Sequence, residues 1–143
     1  MGTRSSYKII EKWHEPNSKT STATICVIYV QFDGYPEGHP LDTAKFLASG
    51  KVVNGIPCEE GLYFNGAGCM AASLIAEMKK KPGGWYLSSP SNYGKSWEDY
   101  LYEIIVDMTT KSIQYICRNH KKKILFKGTP EQFIAWATDD NEK

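Results

Sequence analysis

Residues 99–127 constrain the fold more than any other stretch. "DYLYEIIVDM" alternates, with Tyr100, Tyr102, Ile104, Val106 and Met108 on one face and Leu101, Glu103, Ile105 and Asp107 on the other. After "TTK" the chain returns as "SIQYICR", with Ile113, Tyr115 and Cys117 on one side, and after "NHKKK" it continues as "ILFK". A period of two is the signature of a strand with one buried face. Connections this short allow only antiparallel pairing, because a parallel crossover needs a dozen or more residues. Next comes Thr129-Pro130-Glu131-Gln132, a capping box with proline at the first helical position. It predicts a closing helix that packs through Phe133, Trp136 and Ala137, followed by a frayed tail at 139–143.

The rest of the chain adds helices and one more strong strand. Residues 23–32 are apolar on both faces, apart from Thr24 and Gln31, which suits a central strand over Ile25 to Phe32. Tyr7-Lys8-Ile9-Ile10 reads as a short edge strand, and the polar, turn-rich 12–22 segment as a loop insert. "PLDTAKFLASG" predicts a short helix with Leu41, Ala44, Leu47 and Ala48 inward and Gly50 at its end. Residues 51–66 read as loop apart from Lys51-Val52-Val53. The strongest helix is predicted over Ala67 to Lys80, where Met70, Ala71, Leu74, Ile75 and Met78 make one apolar face. Lys79, Lys80 and Lys81 fall in its last turn and Pro82-Gly83-Gly84 stops it. Trp85-Tyr86-Leu87 reads as a short strand. The expectation is one α+β domain over residues 1–143: an antiparallel sheet of four or five strands with about three helices.

Two polar segments abut these rigid elements. "QFDGYPEGHP" follows the central strand. Its glycines and prolines are turn chemistry, but a turn does not need Asp33, Tyr35, Glu37 and His39 packed together. "FNGAGCMA" opens the long helix. Asn65 is a plausible N-cap there, and Gly66 and Gly68 would let an anion approach the first amides. As a phosphate motif the second segment is weak, since no Gly-Lys-Ser/Thr follows. Two further features stand out: a basic turn, Arg118 to Lys123, without interleaved aromatics, and the aromatic set Trp85, Tyr86, Tyr93, Trp97 and Tyr100. Such rings form core, a stacking wall or a subunit interface.

Composition excludes several classes. The formal net charge of +1 gives no global field toward nucleic acid or an anionic membrane, so neither is expected as a partner. No apolar run is long enough to span a bilayer, and the first residues lack the apolar core of a secretory signal. Gly2 with Ser6 matches the N-myristoylation pattern, against the simpler reading of a plain start with Met1 removed. The four cysteines, Cys26, Cys58, Cys69 and Cys117, form no C-x-x-C pair and have no histidine at ligand spacing. Reduced thiols, no metal, no cofactor and a cytoplasmic location in a host cell are the corresponding expectations.

"MGTRS", "IYVQFDGYPEGHP", "VVNGI", "FNGAGCMAASLIA" and "GGWYL" occur here in an order that resembles a set of small uncharacterised phage and prophage proteins. Those proteins carry a D-G-Y-P-E-G-x-G turn, then N-G-I, then an N-G-x-G-C-x-A-A helix start. The resemblance spans nearly the whole chain. It departs at Pro40, where glycine is usual, and in the longer "HEPNSKTST" segment. What it implies is viral origin.

Small viral proteins with unusual polar motifs often act on host defence or metabolism by binding. The first functional expectation is therefore a module that binds a small anionic or nucleotide-like ligand, or a host protein. Its site would lie where Asp33, Tyr35, Glu37 and His39 meet Asn65, Gly66 and Gly68. A second reading is a small enzyme that uses Asp33, Glu37 and His39 as acid, base or ligand. A third is a structural protein that self-associates into a homo-oligomer through its aromatic surface.

Overall fold

A computed structural model describes residues 2–139. Its first element corrects the sequence reading. Strand β1 (Ser5–His14) is ten residues long and lies inside the sheet, with β2 (Thr20–Val30) on one side and β6 (Tyr100–Asp107) on the other. Residues 12–22 are therefore no loop insert. They finish β1 and begin β2 in a hairpin closed at Glu15–Lys19. The polar outer half of that hairpin is exposed, so it shows no apolar alternation, while the ladder of backbone hydrogen bonds needs none.

After β2 come α1 (His39–Ala48), β3 (Lys51–Val53), β4 (Tyr63–Asn65), α2 (Gly66–Met78) and β5 (Trp85–Ser88). A crossover holding a single 3-10 turn at Pro90–Asn92 then leads to β6, β7 (Ser112–Asn119), β8 (Ile124–Gly128) and α3 (Pro130–Ala137). The main sheet has six strands in the order β5-β2-β1-β6-β7-β8, and β3 and β4 form a separate parallel pair. The class is α+β, with more strands than expected. Every neighbouring pair in the main sheet is antiparallel except β1 and β6. That parallel pair joins the first strand to the C-terminal meander across almost a hundred residues, a pairing no local pattern announces.

One face of the sheet carries the helices. Tyr7 and Ile9 of β1, Ile28 and Val30 of β2, Tyr102, Ile104 and Val106 of β6, and Tyr115 and Cys117 of β7 point into a single core. Met70, Ala71 and Leu74 of α2, Ala44 and Leu47 of α1, and Phe133 and Ala137 of α3 pack onto it. For the helices, β6 and β7 these residues were read as inward from the sequence, whereas the inward faces of β1 and β2 were not; the Thr129–Gln132 capping box is formed. On the other face the 89–99 crossover lies over Leu101, and the Tyr93 hydroxyl donates to the carbonyl of Tyr102 (2.8 Å). Cys117 is buried and Cys26 half-buried, and all four cysteines are free thiols. Among the described residues no helix is long and apolar enough to cross a membrane. The tail expected at 139–143 lies outside the described residues beyond Asp139.

Candidate functional site

The 31–40 turn is built from below. Its backbone closes on itself through His39 N to Asp33 O (3.1 Å) and Gly38 N to Tyr35 O (2.9 Å), and it is tied to the N-terminal segment by Gly34 N to Thr3 O (3.0 Å). A side chain at Gly38 would run into the Asp33 carbonyl, and a Cβ at Gly34 would sit 2.6 Å from Ser5 Cβ. Both glycines are thus required by close approach. Three buried tyrosines from neighbouring strands then fix the loop to the sheet. Tyr102 donates to Gly34 O (2.7 Å), Tyr115 donates to Pro40 O (3.0 Å), and the Tyr7 hydroxyl bonds His39 Nδ1 (2.7 Å). Removing the first of these hydroxyls leaves a buried carbonyl without its donor. Tyr102→Phe is expected to lose about 1–3 kcal/mol of stability, measured by urea unfolding, with its near-UV spectrum otherwise unchanged.

His39 belongs to this support. Its Nε2 lies 3.3 Å from Ser5 Oγ, the Tyr7 hydroxyl that it shares also meets Thr43 Oγ1 at 3.2 Å, and Trp85 packs edge-on against the ring at 5.2 Å. Burial lowers its pKa from 6.5 to about 3, so the ring is neutral at ordinary pH. Ser5 is fully buried beneath Gly34, so the Ser5–His39 pair presents no nucleophile to solvent. The remaining candidates face outward: Asp33 and Glu37 are exposed, and Tyr35 is 40% exposed. Asp33 adopts φ 58°, a left-handed conformation that Asp tolerates better than most residues.

Asp33, Tyr35, Glu37 and His39 line one cleft of about 420 Å³, within the range of small-molecule sites. Met78 to Lys81, Gly83, Gly84 and Trp85 also line it, and Asp42 of α1 adds a third acid. The long helix thus reaches the site with its C-terminal end. The polypeptide after it is locked to the turn by Gln31 N to Gly84 O (2.9 Å). Lys79, Lys80 and Lys81 lie just beyond the helix rather than in its last turn. Lys79 Nζ donates to the carbonyls of Lys81 (3.0 Å) and Gly83 (3.1 Å), and Lys80 Nζ to Ala76 O (3.1 Å). The sequence reading did not associate these lysines or Asp42 with the turn. The available signal was the helix's length, which puts its two ends at opposite ends of the sheet.

Asn65, Gly66 and Gly68 are elsewhere. The turn sits over Ser5 and the start of α2 sits over Glu11, both on β1. Six residues of strand separate them by about 20 Å, which matches the roughly 20 Å rise of a thirteen-residue helix. The single cleft expected from both segments therefore does not form. Nor is the helix start an open anion site. Glu11 Oε1 accepts from Ala67 N (3.1 Å), so the chain's own carboxylate occupies it. The Asn65 side chain caps nothing in α2 and instead accepts from Gly55 N (2.9 Å). Gly66 is required, because its φ is 86° and a Cβ there would sit 3.0 Å from Glu11 Oε1. At Gly68 a Cβ would meet only Ile25, at an ordinary 3.9 Å.

Among the described residues no three His, Cys, Asp or Glu side chains gather to hold a metal ion. Compared with known protein families, with curated proteins and with solved structures, the chain matches none of them.

Proposed function

We propose that the protein is a binding protein, and that the cleft between the 33–39 turn and Lys79–Trp85 takes a small, ring-bearing anionic ligand of the nucleotide kind. One observation carries this reading. Asp33, Tyr35 and Glu37 are held outward by a turn fixed to three buried tyrosine hydroxyls, and they line the same cleft as Lys79–Lys81. A preformed wall loses little entropy on binding. Lysines suit a phosphate, carboxylates suit ribose hydroxyls, and Tyr35 offers a ring face. The positive charge that the sequence reading sought at a helix N-terminus comes here from these lysines, since His39 is neutral. The internal bonds at both His39 nitrogens give no support to its use as an acid or base. The ordered resemblance to phage proteins supports a viral setting, where a chain of this size acts by sequestering a host-cell molecule.

The test is titration calorimetry with a panel of ribonucleoside mono-, di- and cyclic dinucleotides. At least one is expected to bind. Replacing Tyr35 and Glu37 together with Ala should weaken that binding by about tenfold or more, near 1.4 kcal/mol, while stability changes by less than about 0.5 kcal/mol per exposed site. No binding across the panel, or equal binding by the double variant, would overturn the proposal.

A further inference from the structure

The Asn119–Lys123 turn has no interleaved Phe, Tyr or Trp, and the fold brings such rings beside it. His120 and Asp99 line two adjoining shallow grooves. One, of about 570 Å³, continues to Tyr35 and Tyr100; the other, of about 440 Å³, continues to Lys95 and Trp97. Trp97 is 86% exposed and stands at φ 57°, where a bulky side chain is a rare outlier. It is nonetheless held firmly. The buried carboxylate of the next residue, Glu98, accepts from Ser6 Oγ (2.7 Å), Gly94 N (2.9 Å) and Ser96 N (2.6 Å). The chain therefore keeps strained backbone in order to hold out an indole that contributes little to the core.

Lys95 lines the groove with Trp97, and Lys121, Lys122 and Lys123 follow His120, which lines it too. Lys95, Lys121, Lys122 and Lys123 are exposed. The turn bearing the last three is rigid, because Asn119 Oδ1 accepts from Lys121 N (2.9 Å) and Lys123 N (3.1 Å). Arg118 is engaged with Glu103 and with the Lys122 carbonyl, so it is left out of the patch. Two acids line the same groove: Glu98 is turned to its three donors, and exposed Asp99 accepts from the Arg4 backbone amide (3.1 Å). We propose that this surface binds single-stranded nucleic acid, with a base stacked on Trp97 and phosphates held by Lys95 and Lys121–Lys123. An exposed ring face beside lysines on open grooves is the arrangement that stacks bases and tracks a phosphate backbone. This surface adjoins the 33–39 cleft, since Tyr35 lines both, so the test relies on Trp97, which does not line that cleft.

The experiment is fluorescence anisotropy of a labelled oligothymidylate of about 15 nucleotides, titrated with the full chain at about 50 mM salt. Saturable binding is expected, with log K falling against log salt at a slope of roughly −2 to −3 for three or four phosphate contacts. Trp97→Ala should weaken binding about tenfold or more, and Trp97→Phe should retain most of it. Lys121, Lys122 and Lys123 changed together to Gln should flatten the salt slope by about two. Unchanged thermal midpoints show that each variant is folded. Absence of saturable binding, binding indifferent to Trp97→Ala, or displacement of the oligonucleotide by an equal concentration of polyglutamate would each overturn the proposal, the last in favour of an acidic protein partner.

Discussion

Acidification from pH 6.5 towards pH 3 is expected to strip the fold of stability at up to roughly 1.4 kcal/mol per pH unit through His39 alone. The sign follows from where protons bind. In the unfolded chain the imidazole titrates near 6.5, whereas burial holds it at about 3 in the fold. Between those values the unfolded state carries a proton that the folded state refuses. The contribution is therefore complete above pH 6.5, falls as pH drops through the window, and levels off below about 3. The summed loss is on the order of 4–5 kcal/mol, a large part of a small domain's stability. Burial dominates because the groups against the ring are neutral: the Tyr7 and Ser5 hydroxyls and the Trp85 indole. The measurement is urea unfolding at several pH values for the wild type and for His39→Gln, whose amide keeps hydrogen-bonding capacity without titrating. The variant's stability should depend less steeply on pH across the window. Identical slopes would mean that His39 is not the titrating group.

Phe133→Ala is expected to cost about 3–5 kcal/mol, the range for removing a fully buried aromatic ring. The ring stacks on Tyr115 at 4.5 Å and meets Phe126 edge-on at 5.3 Å and Trp136 at 5.5 Å. Its loss leaves a cavity on the helix-facing side of the sheet and loosens Tyr115, whose hydroxyl holds Pro40 O. The effect should thus travel to the 31–40 turn. Denaturant unfolding gives the stability change, and amide exchange at Gly34, Gly38 and His39 should speed up beyond what the global loss accounts for. A loss below about 1 kcal/mol, well under the range for aromatic truncation, would show that Phe133 is not central to the core.

These two residues also separate what could be read along the chain from what could not. Phe133 was legible, because the capping box fixed where α3 starts and the apolar spacing fixed its inward face. The inward faces of α2, β6 and β7 were legible for the same reason: periodicity is a local property written residue by residue. His39 was legible as unusual but not as partly buried support for the turn. Its burial needs Trp85 from β5 and Tyr7 from β1, residues tens of positions away that only the sheet order brings beside it.

Local patterns along the chain were enough for the α+β class, most of the elements and the core-facing residues, because amphipathic periods and turn and cap chemistry act over a few residues. They also marked the 33–39 turn as chemically distinct. Only the packed fold shows that β1 lies inside the sheet and pairs in parallel with β6. Only there does α2 bring its C-terminal lysines to that turn while Glu11 closes its N-terminus. Those outcomes depend on strand order and on the length of one helix laid across a sheet, and backbone pairing between distant segments leaves no trace in local composition.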